Sequence, residues 1–343
     1  QARELQVSDD EEQQLGAAVS QRMRARYGVV QDEAVHRYVA LVGGVVAQAS
    51  GKDDMPWHFI VLDTDAVNAF AAPGGFVHLT RGALGLIQNE AELAGVLAHE
   101  IVHVTERHTI RAIQKSKSIQ MGTDETLSGN AALLNRVADE VYLDIIEKGF
   151  GRAEENESDE KGVRMVNSVG YAPQGLVSFL TRLQERNKDA KEKRGLFASH
   201  PEMKERLDRL AEEIKNSKLA STATVEDRYR KTIPYKPVPQ TAIAVVVAGA
   251  AGLAGGDEKE AAKPEEKKEE EAEKEEPKKR GFGLGRMLPI GGREQKTAQV
   301  SASGGTRGVD PERDAKGGTN PNPVPVKIVA ADLTAFKKEG GLK

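Results

Sequence analysis

Cysteine is absent from the 343-residue chain. That excludes a disulfide framework and any cysteine-ligated metal, so a metal here would have to be held by His, Asp or Glu. The absence is also compatible with an oxidising compartment. A long hydrophobic run is missing too: nothing reaches the roughly 18–20 apolar residues that a membrane-spanning helix needs. The nearest stretch, AIAVVVAGAAGLAGG at 242–256, is short and rich in Ala and Gly, and reads as a packed or weakly ordered segment. Excess positive charge is lacking, and a formal net charge of −4 argues against a nucleic-acid surface. The sequence begins at Gln1 without an initiator Met. The expectation is that an upstream segment, most commonly a signal peptide, was removed.

Histidine is scarce as well, with seven in the chain, yet three of them fall in the ten residues from His99 to His108. Their surroundings read as follows. Residues 1–50 are helical in pattern, with Ser8 or Asp9 as N-cap and acidic residues in the first turn. His36, alone in the second helical stretch, reads as an ordinary histidine. WHFIVLD (57–63) has strand character, and NAFAAPGGFVHLTRGAL (68–84) gives a turn at Pro73-Gly74-Gly75 and a second strand, Phe76–Thr80. Residues 89–114 form a strong helix, with Leu93, Val96, Leu97, Ile101 and Val104 at spacings of three and four. Further helices are expected at about 131–147, 152–170, 172–188 and 199–216.

Beyond about residue 217 the character changes. Residues 217–256 hold a Pro-rich linker and the short apolar segment. Residues 257–280 carry 11 acidic and 8 basic side chains. Such a run buries too little apolar surface to offset its ordering entropy, so 257–323, charged and then Gly-rich, is expected to be disordered. Residues 324–343 can supply a strand and a short helix.

The chemistry centres on HEIVH. His99 and His103 are four apart on a helix and project from nearly one face, where two neutral imidazoles can chelate one divalent metal. Glu100 can reach a water on that metal. This is the HExxH pattern of zinc hydrolases. The flanks are apolar, and a buried His-Glu-His cluster without a function would be costly. A third ligand must come from elsewhere. Glu106 shares the stripe, but one straight helix cannot easily wrap three ligands around an ion. His108, about 140° around a continuous helix, points away and reads as structural. GRAEENESDEKG offers Glu155 and Asp159, again four apart; spacing alone leaves Glu155 and Glu157 both open as ligand, beside the alternative of a solvated acidic face.

Four blocks in order resemble the HtpX/BepA-like zinc metallopeptidase family, peptidase family 48 of the metallopeptidases. NAFAAPGGFVHLTRGAL resembles its NAFxxPGG segment, NEAELAGVLAHEIVHVTERH its zinc helix, RAEENESDEKG its ExxxD helix, and SHPEMKERLDRL its His-Pro-x5-Arg segment. They span about Asn68 to Leu210. Ser158 stands where the family usually has Ala, another small residue.

The resemblance implies an α+β, mainly helical zincin-like metallopeptidase domain over 1–216, with a small sheet whose edge strand borders the active-site cleft. It implies one zinc per chain on His99, His103 and Glu155, with Asp159 partnering a ligand histidine and Glu100 as general base. His200 and Arg206 are expected near the cleft in catalytic roles; His200 would either plug the open zinc position, the favoured reading, or stabilise the oxyanion. Substrate is expected to add as a strand to FVHLT, contacting Asn68, Ala69, Gly75, Phe76, Val77 and, incidentally, His78. The implied function is endopeptidase cleavage of extended or misfolded polypeptide in the periplasm or cell envelope, with a lipid anchor conceivable before Gln1. The rival readings are a latent or non-catalytic peptidase-like chaperone or assembly factor, and an envelope scaffold working through its charged tail.

Overall fold

The apolar patterns assemble as follows in a computed structural model of the chain, which describes residues 7–52, 54–115, 127, 129–145, 149–188, 203–239 and 320–343. Helix α1 (Asp9–Tyr27) opens on a capping box: Ser8 Oγ accepts from the Glu11 amide, and the Glu11 carboxylate accepts from the Ser8 amide. Helix α2 (Glu33–Ala47) is capped by Asp32. Strands β1 (His58–Leu62), β2 (Ala69–Ala72) and β3 (Phe76–Thr80) follow. Then come α3 (Arg81–Leu86), α4 (Glu90–Thr105), α5 (His108–Lys115), α6 (Ala131–Leu143), α7 (Arg152–Ser168), α8 (Gln174–Arg186), α9 (Met203–Asn216), α10 (Glu226–Thr232) and α11 (Ala330–Glu339).

The three strands form one sheet in the order β1-β3-β2, with β1 parallel and β2 antiparallel to β3. Alternation divides their side chains between two cores. Val61, Ala69, Ala71, Val77 and Leu79 join the core built with α2, α4, α7 and α8. Ile60, Leu62, Phe70 and Ala72 face the opposite way, against α1 and α6. His78 also takes that second face: it is fully buried and pairs with Ser20 of α1. His36 is a core histidine whose Nε2 accepts from the Val61 amide.

Helix α4 lies in the middle of the larger core and is buried from Glu90 to Val104. It packs most extensively against α7 and then α8. The α8 crossing requires glycine. A Cβ on Gly95 would stand 2.9 Å from Leu176, and one on Gly175 would stand 2.4 Å from the Ala91 carbonyl oxygen. Both ends of α4 are fastened. At its start the buried Glu90 carboxylate accepts from Tyr38 Oη (2.6 Å), Tyr171 Oη (2.5 Å) and the Arg228 guanidinium. Past its end, Arg107 pairs with Glu12 (2.7 Å) and donates to the Val7 carbonyl (2.7 Å).

Two sequence expectations change here. The helix expected over 89–114 is two helices, because Arg107 takes a left-handed backbone (φ 53°) that ends α4 and redirects α5. The packed unit also does not stop at 216. Tyr229, Ile233 and Phe336 belong to the main core. Phe336 meets the Tyr38 ring edge-on at 5.9 Å, and the Arg228 guanidinium lies 3.6 Å from the centre of the Phe336 ring. Residues 324–329, expected to include a strand, run extended without strand pairing into α11. Residues 320–322, inside the tract expected to be disordered, bond to the domain through Val29, Arg24 and Gln31. The rest of that tract, like the apolar run at 242–256, lies outside the described residues.

This docking makes a stability prediction. Phe336→Ala should cost about 3 kcal/mol of unfolding free energy, as for a buried aromatic truncated in a core. Urea denaturation of full-length protein measures it; a change within about 0.5 kcal/mol, the range of ordinary surface substitutions, would show that the last helix is not part of the folding unit.

Candidate metal centre

The site forms where α4 meets the first turns of α7. On α7 the buried positions Glu155, Ser158, Asp159, Gly162, Val163 and Val166 fall at helical spacing and face α4. A Cβ on Gly162 would stand 3.3 Å from the His99 backbone nitrogen, so the two helices are in close contact there. Ser158 is completely buried in this contact, which explains why only a small side chain fits.

His99 and His103 place their Nε2 atoms 3.0 Å apart. Glu155 brings Oε2 to 3.5 Å from His99 Nε2 and Oε1 to 3.4 Å from His103 Nε2. One donor atom from each of the three residues lies within 4.8 Å of the others, and all three side chains are buried. Spacing had left Glu155 and Glu157 open. In the structure Glu155 faces the histidines, while Glu157 turns outward to Lys161 (2.8 Å) and His108 (3.1 Å). Glu106 pairs with Lys161 (2.6 Å) as a surface charge.

Each imidazole is held from behind. The Asp159 carboxylate accepts from His99 Nδ1–H at 2.9 Å, which turns Nε2 toward Glu155. Arg206 is buried behind the carboxylates. Its Nε and Nη2 donate to Asp159 at 2.7 Å, and its Nη1 lies 2.9 Å from Glu155 Oε2. Its place is therefore that of a clamp on two carboxylates rather than of a group lining an open cleft. His103 stacks on Phe150, with ring centres 3.9 Å apart, and its Nδ1 meets His108 Nδ1 at 2.8 Å. The reading of His108 as pointing away assumed a continuous helix; the turn at Arg107 swings it back under His103.

The charges fit a dication. Among the described residues, the carboxyl groups of Glu100, Glu155 and Asp159 are buried beside two imidazoles and the Arg206 guanidinium, a set richer in acidic than in basic groups. Burial opposes charge on His99, yet its hydrogen bonds to Asp159 and Glu155 prevail and raise its pKa to about 9. Burial likewise opposes the Arg206 charge, and Asp159, Glu155 and Glu100 outweigh it. Two imidazole nitrogens and a carboxylate are a donor set suited to a divalent metal with a position left open.

The expected substrate residues divide. β3 is the central strand, hydrogen-bonded to β1 and β2 along its length, so FVHLT has no edge to which a peptide could add. Phe76 stacks on His58, Val77 lies in the main core, and His78 is on the far face, where burial pushes its imidazole down to about 3. The edge beside the site is β2. Ala71, Ala72 and Pro73 pack beside His103 and Val104. Asn68 precedes that strand and Ala69 begins it, and Gly75 sits in the turn after it, its carbonyl accepting from the His58 amide. The sequence reading missed β2 because AFAA has little strand propensity of its own. His200 lies outside the described residues.

Comparison with known proteins places these elements in a wider set. The profile of "Peptidase family M48" matches residues 33–214, more than half of the chain. The chain is 29% identical over 233 residues to "Beta-barrel assembly-enhancing protease" of Yersinia pestis, covering 64% of this chain and 47% of that protein. It is 28% identical over 213 residues to the Escherichia coli (strain K12) protein of the same name, covering 59% and 43%. "Metalloprotease YcaL" of Escherichia coli (strain K12) is 29% identical over 178 residues, 50% of this chain and 69% of that protein. The chain thus spans less than half the length of the first two relatives.

The His99 environment sets a pH dependence for metal-stripped protein. A pKa raised from 6.5 to about 9 contributes stability that is fully present below 6.5 and lost as pH rises through about 9. Urea unfolding of chelator-treated protein between pH 6 and 9.5 should show this loss, and His99→Gln should flatten it. Equal slopes in the two proteins would remove His99 as its source.

Proposed function

Because this chain belongs to peptidase family M48, we propose that it is a zinc-dependent endopeptidase acting on extended or misfolded polypeptide in the cell envelope. The observation that carries this reading is the buried His99–His103–Glu155 donor set with Glu100 adjacent in the chain. Relatives named for enhancing beta-barrel assembly support the envelope setting.

In this reading His99, His103 and Glu155 hold one zinc ion. A bound zinc ion supplies the Lewis acidity that polarises a scissile carbonyl and lets water ionise near neutral pH. Glu100 takes the proton from the attacking water and hands it to the leaving amine. Arg206 and Asp159 keep the ligand side chains oriented. His200 is the candidate for the plug or the oxyanion donor expected from the sequence.

Substrate binds by strand addition to β2 rather than β3. Thr80 donates to the Asn68 carbonyl, so by alternation the β2 residues two apart from Asn68 turn their backbone groups to β3, while Ala69 and Ala71 turn theirs outward. The Ala69 amide is taken by the Asn68 side chain (2.9 Å), which leaves Ala71 to donate to a peptide. Recognition through backbone groups gives broad sequence tolerance and demands an extended substrate.

Two experiments test the reading. Glu100→Gln should retain about one zinc per chain and lose roughly 10²–10⁴-fold in hydrolysis of an unfolded protein such as casein, since the base goes and the ligands stay. Parallel loss of zinc and activity would deny Glu100 that role. Wild-type protein that holds zinc yet leaves casein intact would favour the non-catalytic assembly factor. Ala71→Pro removes one outward amide without touching the β3 ladder. It should lower kcat/KM with zinc content unchanged; an unaltered kcat/KM would place the substrate elsewhere.

A further inference from the structure

We infer that His108 and Glu157 are positioning residues that set the tautomer of His103 and so keep its Nε2 lone pair turned into the donor set. The inference rests on the metal-site reading above and assigns to it two residues outside the HExxH pattern.

The argument is one of proton counting along a chain of three groups. Glu157 Oε2 lies 3.1 Å from His108 Nε2, and Glu157 Oε1 accepts from Lys161 Nζ at 2.8 Å. A carboxylate ionised beside a lysine can only accept, so His108 must carry its proton on Nε2. A neutral imidazole has one N–H, and His108 Nδ1 is therefore bare. That bare nitrogen lies 2.8 Å from His103 Nδ1, which must then be the donor. With its proton on Nδ1, His103 presents an unprotonated Nε2 to Glu155 and His99. Reversing the chain would put a proton on Nε2, in the middle of the donor set. The relay parallels the one behind His99, where Asp159 accepts directly from Nδ1–H. For His103 the carboxylate stands one imidazole further away.

The packing suits such a relay. The His108 side chain is buried, and Phe150 covers His103 on one face with its ring centre 5.9 Å from that of His108. Helix α5 begins at His108 itself, directly after the left-handed Arg107, so the local backbone is what delivers the ring to this position.

The test uses full-length protein and zinc itself, with affinity measured by competition against a chromophoric chelator. His108→Phe keeps a ring and loses the acceptor, and should weaken zinc binding by roughly 10–100-fold. His108→Gln, whose amide can accept from His103 and donate to Glu157, should recover most of that loss. Glu157→Ala, at a half-exposed position, should weaken binding by a smaller factor. Long-range ¹H–¹⁵N spectra of zinc-free protein should show His103 protonated at Nδ1 in the wild type and a mixture of tautomers in Glu157→Ala. Wild-type affinity in His108→Phe, or an Nε2-protonated His103 in the wild type, would overturn the relay. If wild-type protein bound no zinc, and His99→Ala changed nothing, the metal-site reading would fall, and the tautomer spectra would still decide for or against the relay.

Discussion

Ionisable groups taken out of water must find partners inside the protein, and that requirement governs the contact between α4 and α7. Leaving such a group unpaired costs several kcal/mol, a large part of a domain's net stability. The structure answers by interlocking the groups. Arg206 reaches both Glu155 and Asp159, Asp159 reaches His99, and Glu155 spans His99 and His103. Each element that supplies a member is thereby fixed: α7 against α4, and α9 against α7. The side chains that satisfy one another across this contact are also the ones whose donor atoms converge as a possible metal site.

The rest of the fold serves to keep α4 still. Its start is tied by the Glu90 carboxylate to α2, α10 and the residue preceding α8's turn, and its far end by Arg107 to the beginning of α1. The edge strand β2 lies along it, so the distance from the β2 backbone to the donor set is set by rigid elements rather than by loops.

How much of this was legible in the sequence depended on whether the signal was local. His99 and His103 were legible because a helix maps a spacing of four onto one face, and the apolar flanks announced burial. Fold class and helix order were legible for the same reason. Glu155 and Glu157 could not be separated by spacing, since the choice rests on which side of α7 meets α4. His108 was misread because nothing in Thr-Glu-Arg-His marks a left-handed residue; arginine adopts it here with Glu12 and Val7 holding its side chain. β2 was hidden because its alanines become a strand only when β3 lies alongside. The last helix was expected as a short element, but its docking was not, because its hold on the core rests on Phe336, the half-buried Leu333 and Leu342 and a few polar contacts rather than on a long apolar stripe.

The fastening of residues 236–238 and 320–322 to the same body changes what the intervening tract is. The Val238 carbonyl accepts from Arg186 on one side, and the Asn320 carbonyl accepts from the Val29 amide on the other. Residues 240–319 are therefore topologically an insertion within a domain rather than a tail hanging from it. The entropy of closing such a loop grows only with the logarithm of its length, about 0.6 kcal/mol per doubling. A change in the length of that interval would therefore cost the folded body little. A single cut within it would leave two polypeptides that remain joined through the docked final helix.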